Sequence, residues 1–165
     1  MKKLFLLATV ILIGLTAFPQ SVPNSPAAVA AGKNVKVNYN RPPKGGREIF
    51  GRLVPFGQIW RCGANSATTI SFTKDGLIGG RPVKKGTYSL FAIPQEKQWT
   101  IILNSQPGLW GAYEYDKYKD KNVAQVLVPV NHLDKVVERL TIRFSPENSM
   151  IIEWDQTQVS VPVKI

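Results

Sequence analysis

An alternation of apolar and polar residues recurs along most of this chain. In the stretch from residue 35 to residue 39, for example, Val35, Val37 and Tyr39 alternate with two polar residues. Successive side chains of a strand lie on opposite faces of a sheet, so a period of two is typical of a half-buried strand. Further short runs rich in β-branched and aromatic residues occur at 69–73, 88–93, 99–103, 123–130, 140–144, 150–154 and 159–163. No window has a capped helical stripe, and residues 133–140, the nearest to one, suit a strand equally well.

Turn-forming residues separate these runs. Glycine and proline stand at 74–76, 79–82, 85–86, 106–108 and 146–148, where they provide the backbone angles that tight turns need. Nine or ten short strands with such spacing predict an all-β fold: a single-domain antiparallel β-sandwich, jelly-roll-like or barrel-like. Pro162 predicts that the last strand lies at an edge, because proline cannot donate to a central ladder.

The N-terminus has the pattern of an export signal. Lys2 and Lys3 precede an apolar run from Leu4 to Phe18, which is shorter than the roughly 20 residues of a membrane-spanning helix. We therefore expect a signal peptide at 1–20, a short linker at 21–32 and the β domain at 33–165. The predicted location is the periplasm or the outside of the cell, with a retained membrane anchor as the alternative.

Composition excludes several classes of site. The chain has 165 residues with a single Cys and a single His, which excludes a disulfide framework, a structural zinc site and a His-rich metal centre. We expect no cofactor. The formal net charge is +10, but the basic residues are dispersed and the chain is predicted to be exported. The charge therefore favours solubility or attraction to anionic surfaces over nucleic-acid binding.

The densest polar stretch contains Arg41, Lys44, Arg47, Arg61 and Asn65. Arginine presents a planar set of donors that matches a carboxylate or phosphate, and Pro and Gly pairs at 42–46 stiffen the loop that carries the first three. One interpretation is a pocket for an anionic ligand. The other is that the arginines pair internally with acids, and the need of a buried charge for a partner favours it. The candidate acids are Asp116, Glu138 and Glu153.

Aromatic residues form a second cluster around Trp110 and Tyr113. Aromatic faces beside hydrogen-bonding groups can stack on a sugar ring, but they can equally pack a core together with Tyr115. His132, expected in a loop, would be the only histidine base for a catalytic triad, and no serine lies in a nucleophile elbow. We predict no catalytic residue. Cys62 is expected to be a small buried apolar residue in a strand.

From Ser25 onward, a series of short motifs resembles a known family over about 140 residues. The motifs are Tyr39-Asn-Arg-Pro42, Gly46-Arg47, Ile49-Phe-Gly51, Leu53-Val-Pro-Phe-Gly57, Ile59-Trp-Arg61, Gly63-Ala-Asn65, Ala67-Thr-Thr-Ile70, Gly86-Thr-Tyr-Ser-Leu-Phe91, Ile93-Pro94, Trp110-Gly111, Tyr115-Asp116, Glu138-Arg139 and Glu153-Trp154. They resemble the bacterial family known as domain of unknown function 2911. The resemblance implies a secreted, mostly β domain and no established activity. Cys62 departs from the family pattern, in which a small residue such as Thr is usual.

Together these patterns predict an exported, non-enzymatic binding or interaction module for an anionic or glycan ligand. The candidate ligand-binding residues are Arg41, Arg47, Trp60, Arg61, Asn65, Trp110 and Tyr113. One alternative is a small hydrolase that acts on an envelope glycan or another polymer through a pair of carboxylates, and a second is a purely structural domain. A pocket with two acids about 5–10 Å apart would favour the hydrolase.

Overall fold

The computed structural model describes residues 24–165. The predicted signal peptide at 1–20 and the first residues of the predicted linker lie outside the described residues. Within the described residues, no helix has both the length and the apolar character that crossing a bilayer requires.

Antiparallel strands make up most of the described chain, which confirms the all-β, single-domain prediction. The strands run in the sheet order β1-β2-β3-β6-β7-β8-β9-β4-β5. Their bounds are β1 Ala27–Gly32, β2 Val35–Asn40, β3 Thr69–Phe72, β4 Gly76–Ile78, β5 Arg81–Val83, β6 Gly86–Pro94, β7 Gln98–Asn104, β8 Asn122–Phe144 and β9 Ser149–Lys164. One short helix, α1 (Tyr115–Tyr118), continues into a 3-10 turn at Lys119–Lys121.

Strand β8 connects the two halves of the sheet. Its first part pairs with β7, and its later part pairs with β9, with shifts of register between His132 and Val137 and again before Thr141. Such irregularities bend a strand and increase its twist. Opposite Val137 on β9, Asp155 has a positive φ of 55°. The later part of β8 lies against the first strands, where the Tyr39 hydroxyl on β2 donates to the Ile142 carbonyl on β8 across 3.2 Å.

Aromatic rings occupy the centre of the main core. Trp60 lies edge-on to Trp99 at a centroid distance of 5.7 Å and nearly parallel to Trp154 at 6.2 Å and 18°. Phe50 contacts all three rings. Each aromatic contact contributes about 0.5–1.5 kcal/mol beyond the burial of its area. This packing holds the loop around Trp60 against β7 and β9.

Part of the predicted linker is a strand, so that expectation is wrong over residues 27–32. Ala27–Gly32 pairs along its whole length with β2. The two-residue connection places Asn34 at a φ of 59°, a conformation that asparagine tolerates better than most residues. The small side chains of β1 lack the alternation that revealed the other strands, which is why the pattern missed it.

Pro162 does not lie on an edge strand, because β9 runs between β8 and β4. The proline is tolerated since β4 pairs only with Val163 and Lys164, and at Pro162 the strand accepts a bond from the Gly79 amide at 2.8 Å. One loop expectation is also corrected. His132 is exposed, but it lies within β8.

Candidate functional site

A short bridge fixes the segment that leads into the candidate site. The Trp60 amide donates to the Ala92 carbonyl at 2.8 Å, and the Ala92 amide donates back to Trp60 at 2.9 Å. Trp60 is thereby held on β6 with its ring in the aromatic core, 6% exposed. The backbone at the next residue, Arg61, is therefore held in a fixed position.

The turn after Arg61 is closely packed. The Thr68 amide donates to the Arg61 carbonyl at 3.1 Å, and the Thr68 hydroxyl donates to the Cys62 carbonyl at 2.8 Å. A Cβ on Gly63 would lie 2.9 Å from that hydroxyl oxygen and 3.2 Å from the Asn40 carbonyl oxygen. Only glycine avoids both close approaches. The turn is therefore tightly packed, and this packing holds Arg61 in place.

Cys62 lies in this turn and not in a strand, which corrects the sequence expectation. Its φ is 52° and its side chain is fully buried, as expected. Burial raises the pKa of the Cys62 thiol far above its ordinary value. Because the thiolate is the nucleophilic form, the geometry argues against a reactive cysteine here.

A second loop brings Arg47 to the same place. Lys44 anchors the loop through an ion pair with Asp155 at 2.5 Å and a bond to the Arg47 carbonyl at 2.7 Å. The Arg47 Nε donates to the Lys44 carbonyl at 2.8 Å, and its Nη2 donates to the Pro43 carbonyl. Arg47 is thus positioned by main-chain carbonyls, and its charge has no carboxylate partner among residues 24–165.

The two loops and β9 border a partly open cavity of about 310 Å³, which we call the Arg61 cavity. Its lining combines arginine, aromatic and aliphatic side chains. The lining residues are Ser25, Pro42, Arg47, Leu53, Val54, Trp60, Arg61, Gly63, Ala64 and Trp154. Its volume is at the lower end of the range for small-molecule sites, about 300–1,000 Å³.

Two donors beside the cavity lack partners. Arg61 takes part in none of the ion pairs found within residues 24–165, and its buried Nε has no hydrogen-bond partner there. The buried Nε1 of Trp154, a residue 2% exposed, is also unpartnered. Leaving a buried donor unpaired costs about 1–3 kcal/mol, and more for a charged group. Both nitrogen atoms are themselves inaccessible, so what Arg61 brings to the cavity is a charge without an acidic partner within the described residues.

Of the predicted site residues, Arg47, Trp60 and Arg61 line the cavity, and Arg41 does not. The Arg41 Nε donates to the Leu140 carbonyl at 3.1 Å, and its Nη2 donates to the Thr141 hydroxyl at 3.0 Å. The Arg41 side chain is therefore hydrogen-bonded to β8 and does not face the cavity. The proposed internal pairing of these arginines with acids is not formed within residues 24–165.

The other predicted residues lie in an exposed region that we call the aromatic loop, residues 107–114. Trp110 is 63% exposed and Tyr113 is 82% exposed, whereas Tyr115 is buried against Phe91. The Asn65 carbonyl accepts the Gly111 amide at 3.1 Å, so Asn65 belongs with this loop. The structure therefore divides the predicted site into two places.

The sequence interpretation missed Trp154 as a cavity residue. Glu153-Trp154 stood out only as a family motif, and the alternation along β9 indicates burial without showing what a residue contacts. Pro42 and Leu53 also stood within quoted motifs. For these three residues, a place in a quoted motif was therefore the only signal in the sequence, and it did not show that they line a cavity.

A family model matches residues 22–163, and its description is "Protein of unknown function (DUF2911)". The match confirms the resemblance found from the motifs. Among the curated proteins compared with the chain, and likewise among the solved structures, nothing matches significantly.

Proposed function

We propose that this chain, which belongs to the family described as "Protein of unknown function (DUF2911)", is a binding module that holds a small anionic ligand in the Arg61 cavity. The observation that carries the proposal is the state of Arg61. Its side chain borders the cavity, and it has no carboxylate partner among residues 24–165. An acidic ligand would supply the missing charge.

Arg47 supports the same conclusion. Two of its nitrogens already donate to carbonyls, which fixes its side chain before any ligand arrives. A binding group that is ordered in advance loses little conformational entropy on binding. Two arginines on one cavity wall, neither neutralised by an acid within the described chain, favour an anion over a neutral or cationic ligand.

The composition of the lining favours binding over hydrolysis. Within the described residues, the lining contains no carboxyl group. Glycoside hydrolysis by the common mechanisms needs two carboxyl groups about 5–10 Å apart across the substrate. We therefore place the hydrolase second to a binding role at this cavity. Export to the periplasm or cell surface is part of the proposal and depends on the N-terminal sequence alone.

Glycan binding at the aromatic loop is a second candidate function. It is favoured by the exposure of Trp110 and Tyr113, 63% and 82%, since exposed aromatic faces can stack on sugar rings. This role would be independent of the Arg61 cavity.

Thermal unfolding of the purified protein tests the main proposal. We expect acetate, benzoate or phosphate to stabilise it, by about 2.7 kcal/mol at a concentration of a hundred times the dissociation constant, and added NaCl to weaken the effect. The variant Arg61→Gln should lose the stabilisation. Arg143→Gln, a matched control on β8, should keep it. An Arg61→Gln protein that responds like wild type, or a wild type that no anion stabilises, would contradict the proposal.

A further inference from the structure

We infer that the ligand of the Arg61 cavity is a monocarboxylic acid with a flat apolar body, of the size of a single-ring aromatic acid. This inference rests on the proposed function and adds the chemical class of the ligand. Three features of the cavity support it: its apolar walls, its volume and the small number of its polar groups.

Apolar side chains form much of the lining. Trp60 and Trp154 both border the cavity, and both are held in the packed aromatic core. Pro42, Leu53 and Val54 complete the apolar part. Rigid apolar and aromatic side chains of this kind gain more from contact with an aromatic ring than from contact with a strongly hydrated ligand.

The volume limits the size of that body. An engineered apolar cavity of about 150 Å³ is large enough to bind benzene. The Arg61 cavity, at about 310 Å³, can therefore hold one aromatic ring together with a carboxylate and a short connecting group. A polymer chain would have to leave most of its length outside.

The polar groups suit one carboxylate better than a sugar or a phosphate. The side-chain donors of the lining come from Ser25, Arg47 and Arg61, because the Trp154 Nε1 is itself inaccessible. Arg47 has already committed two of its nitrogens. Within the described residues, the lining has no Asp, Glu, Asn or Gln that could accept bonds from sugar hydroxyls. A phosphate would present more acceptor oxygens than these donors can match. One carboxylate on Arg61 needs only a planar pair of donors.

Isothermal titration of the purified protein with four probes tests this class. Benzoate and acetate share the carboxylate, benzyl alcohol keeps the ring without the charge, and phosphate is an anion without an apolar body. We expect benzoate to bind at least tenfold more tightly than each of the other three. Quenching or a spectral shift of tryptophan fluorescence on adding benzoate would report contact with the indoles.

A pair of surface variants separates the apolar wall from the charge. Leu53 is 44% exposed at the cavity and Leu127 is 65% exposed elsewhere, so neither Asn substitution threatens the core. Leu53→Asn should weaken benzoate about tenfold and leave acetate unchanged, while Leu127→Asn should affect neither. Benzoate and acetate of equal affinity, or phosphate that binds more tightly than benzoate, would overturn this inference and leave the anion proposal standing. If none of the acids binds, both fail.

Discussion

The Arg61 cavity and the aromatic loop use similar residues in opposite ways. In the cavity, Trp60 and Trp154 are 6% and 2% exposed and belong to the main core. In the loop, Trp110 and Tyr113 are 63% and 82% exposed. A buried aromatic side chain stabilises the fold and shapes a site at once, whereas an exposed one contributes little to the fold. The difference shows that residue type alone does not identify which aromatic residues form the cavity.

The largest expected effect is on stability. Trp60→Ala should lower the free energy of unfolding by about 3–5 kcal/mol, because it removes a buried aromatic side chain and leaves a cavity. Trp110→Ala should change it by less than about 0.5 kcal/mol, as is usual for an exposed side chain. Urea denaturation of both variants measures the contrast. Equal losses would show that the aromatic loop packs more tightly than its exposure indicates.

Glycine substitutions give a second, smaller contrast. Gly63→Ala should cost about 2–3 kcal/mol, since the new Cβ would press on the Thr68 hydroxyl and the Asn40 carbonyl within a packed turn. Gly108→Ala, in the aromatic loop, should cost about 1 kcal/mol from its φ of 77° alone, because nothing lies within 4 Å of the added atom. Urea denaturation measures both. A Gly63→Ala protein as stable as wild type would show that the Arg61 turn is not rigid.

The smallest expected effect concerns the arginines. Arg143 pairs with Glu153 at 2.8 Å and holds the pKa of that carboxyl below its ordinary value of 4.5. Because the folded state then binds fewer protons than the unfolded one, the pair's contribution is present above about pH 4.5 and is lost as the pH falls through the lowered pKa. Urea midpoints from pH 3 to 7 should converge for wild type and Glu153→Gln at the acid end, with a difference below about 1 kcal/mol at pH 7.

Arg61→Gln supplies the comparison for that experiment. Arg61 has no carboxylate partner within residues 24–165, so the variant should keep the wild-type dependence of stability on pH. A flattened acid response in Arg61→Gln would mean that Arg61 stabilises a carboxylate in the folded protein and is not held for a ligand.

Several parts of the site could be predicted because their signatures are local. Trp60 and Arg61 are neighbours in the chain, and Arg47 stands next to a glycine pair that marks a turn. The sequence could not predict which candidate residues border the Arg61 cavity and which lie elsewhere. Arg41 and Arg47 belong to the same loop, yet Arg41 is bound by β8 and Arg47 borders the cavity. Which arginine remains available depends on where distant carbonyls lie.

The sequence by itself determined the strand-rich fold class, the family and the arginine and tryptophan at the centre of the candidate site, because alternation and short motifs are properties of neighbouring residues. The tertiary structure alone decided that Trp154 joins Trp60 and that Trp110 does not. Trp60 is bonded to Ala92 on β6, and its ring lies 6.2 Å from that of Trp154 on β9, whereas Trp110 is bridged to Ser66. Contacts between segments so far apart in the chain depend on how the sheet bends, which no local pattern records.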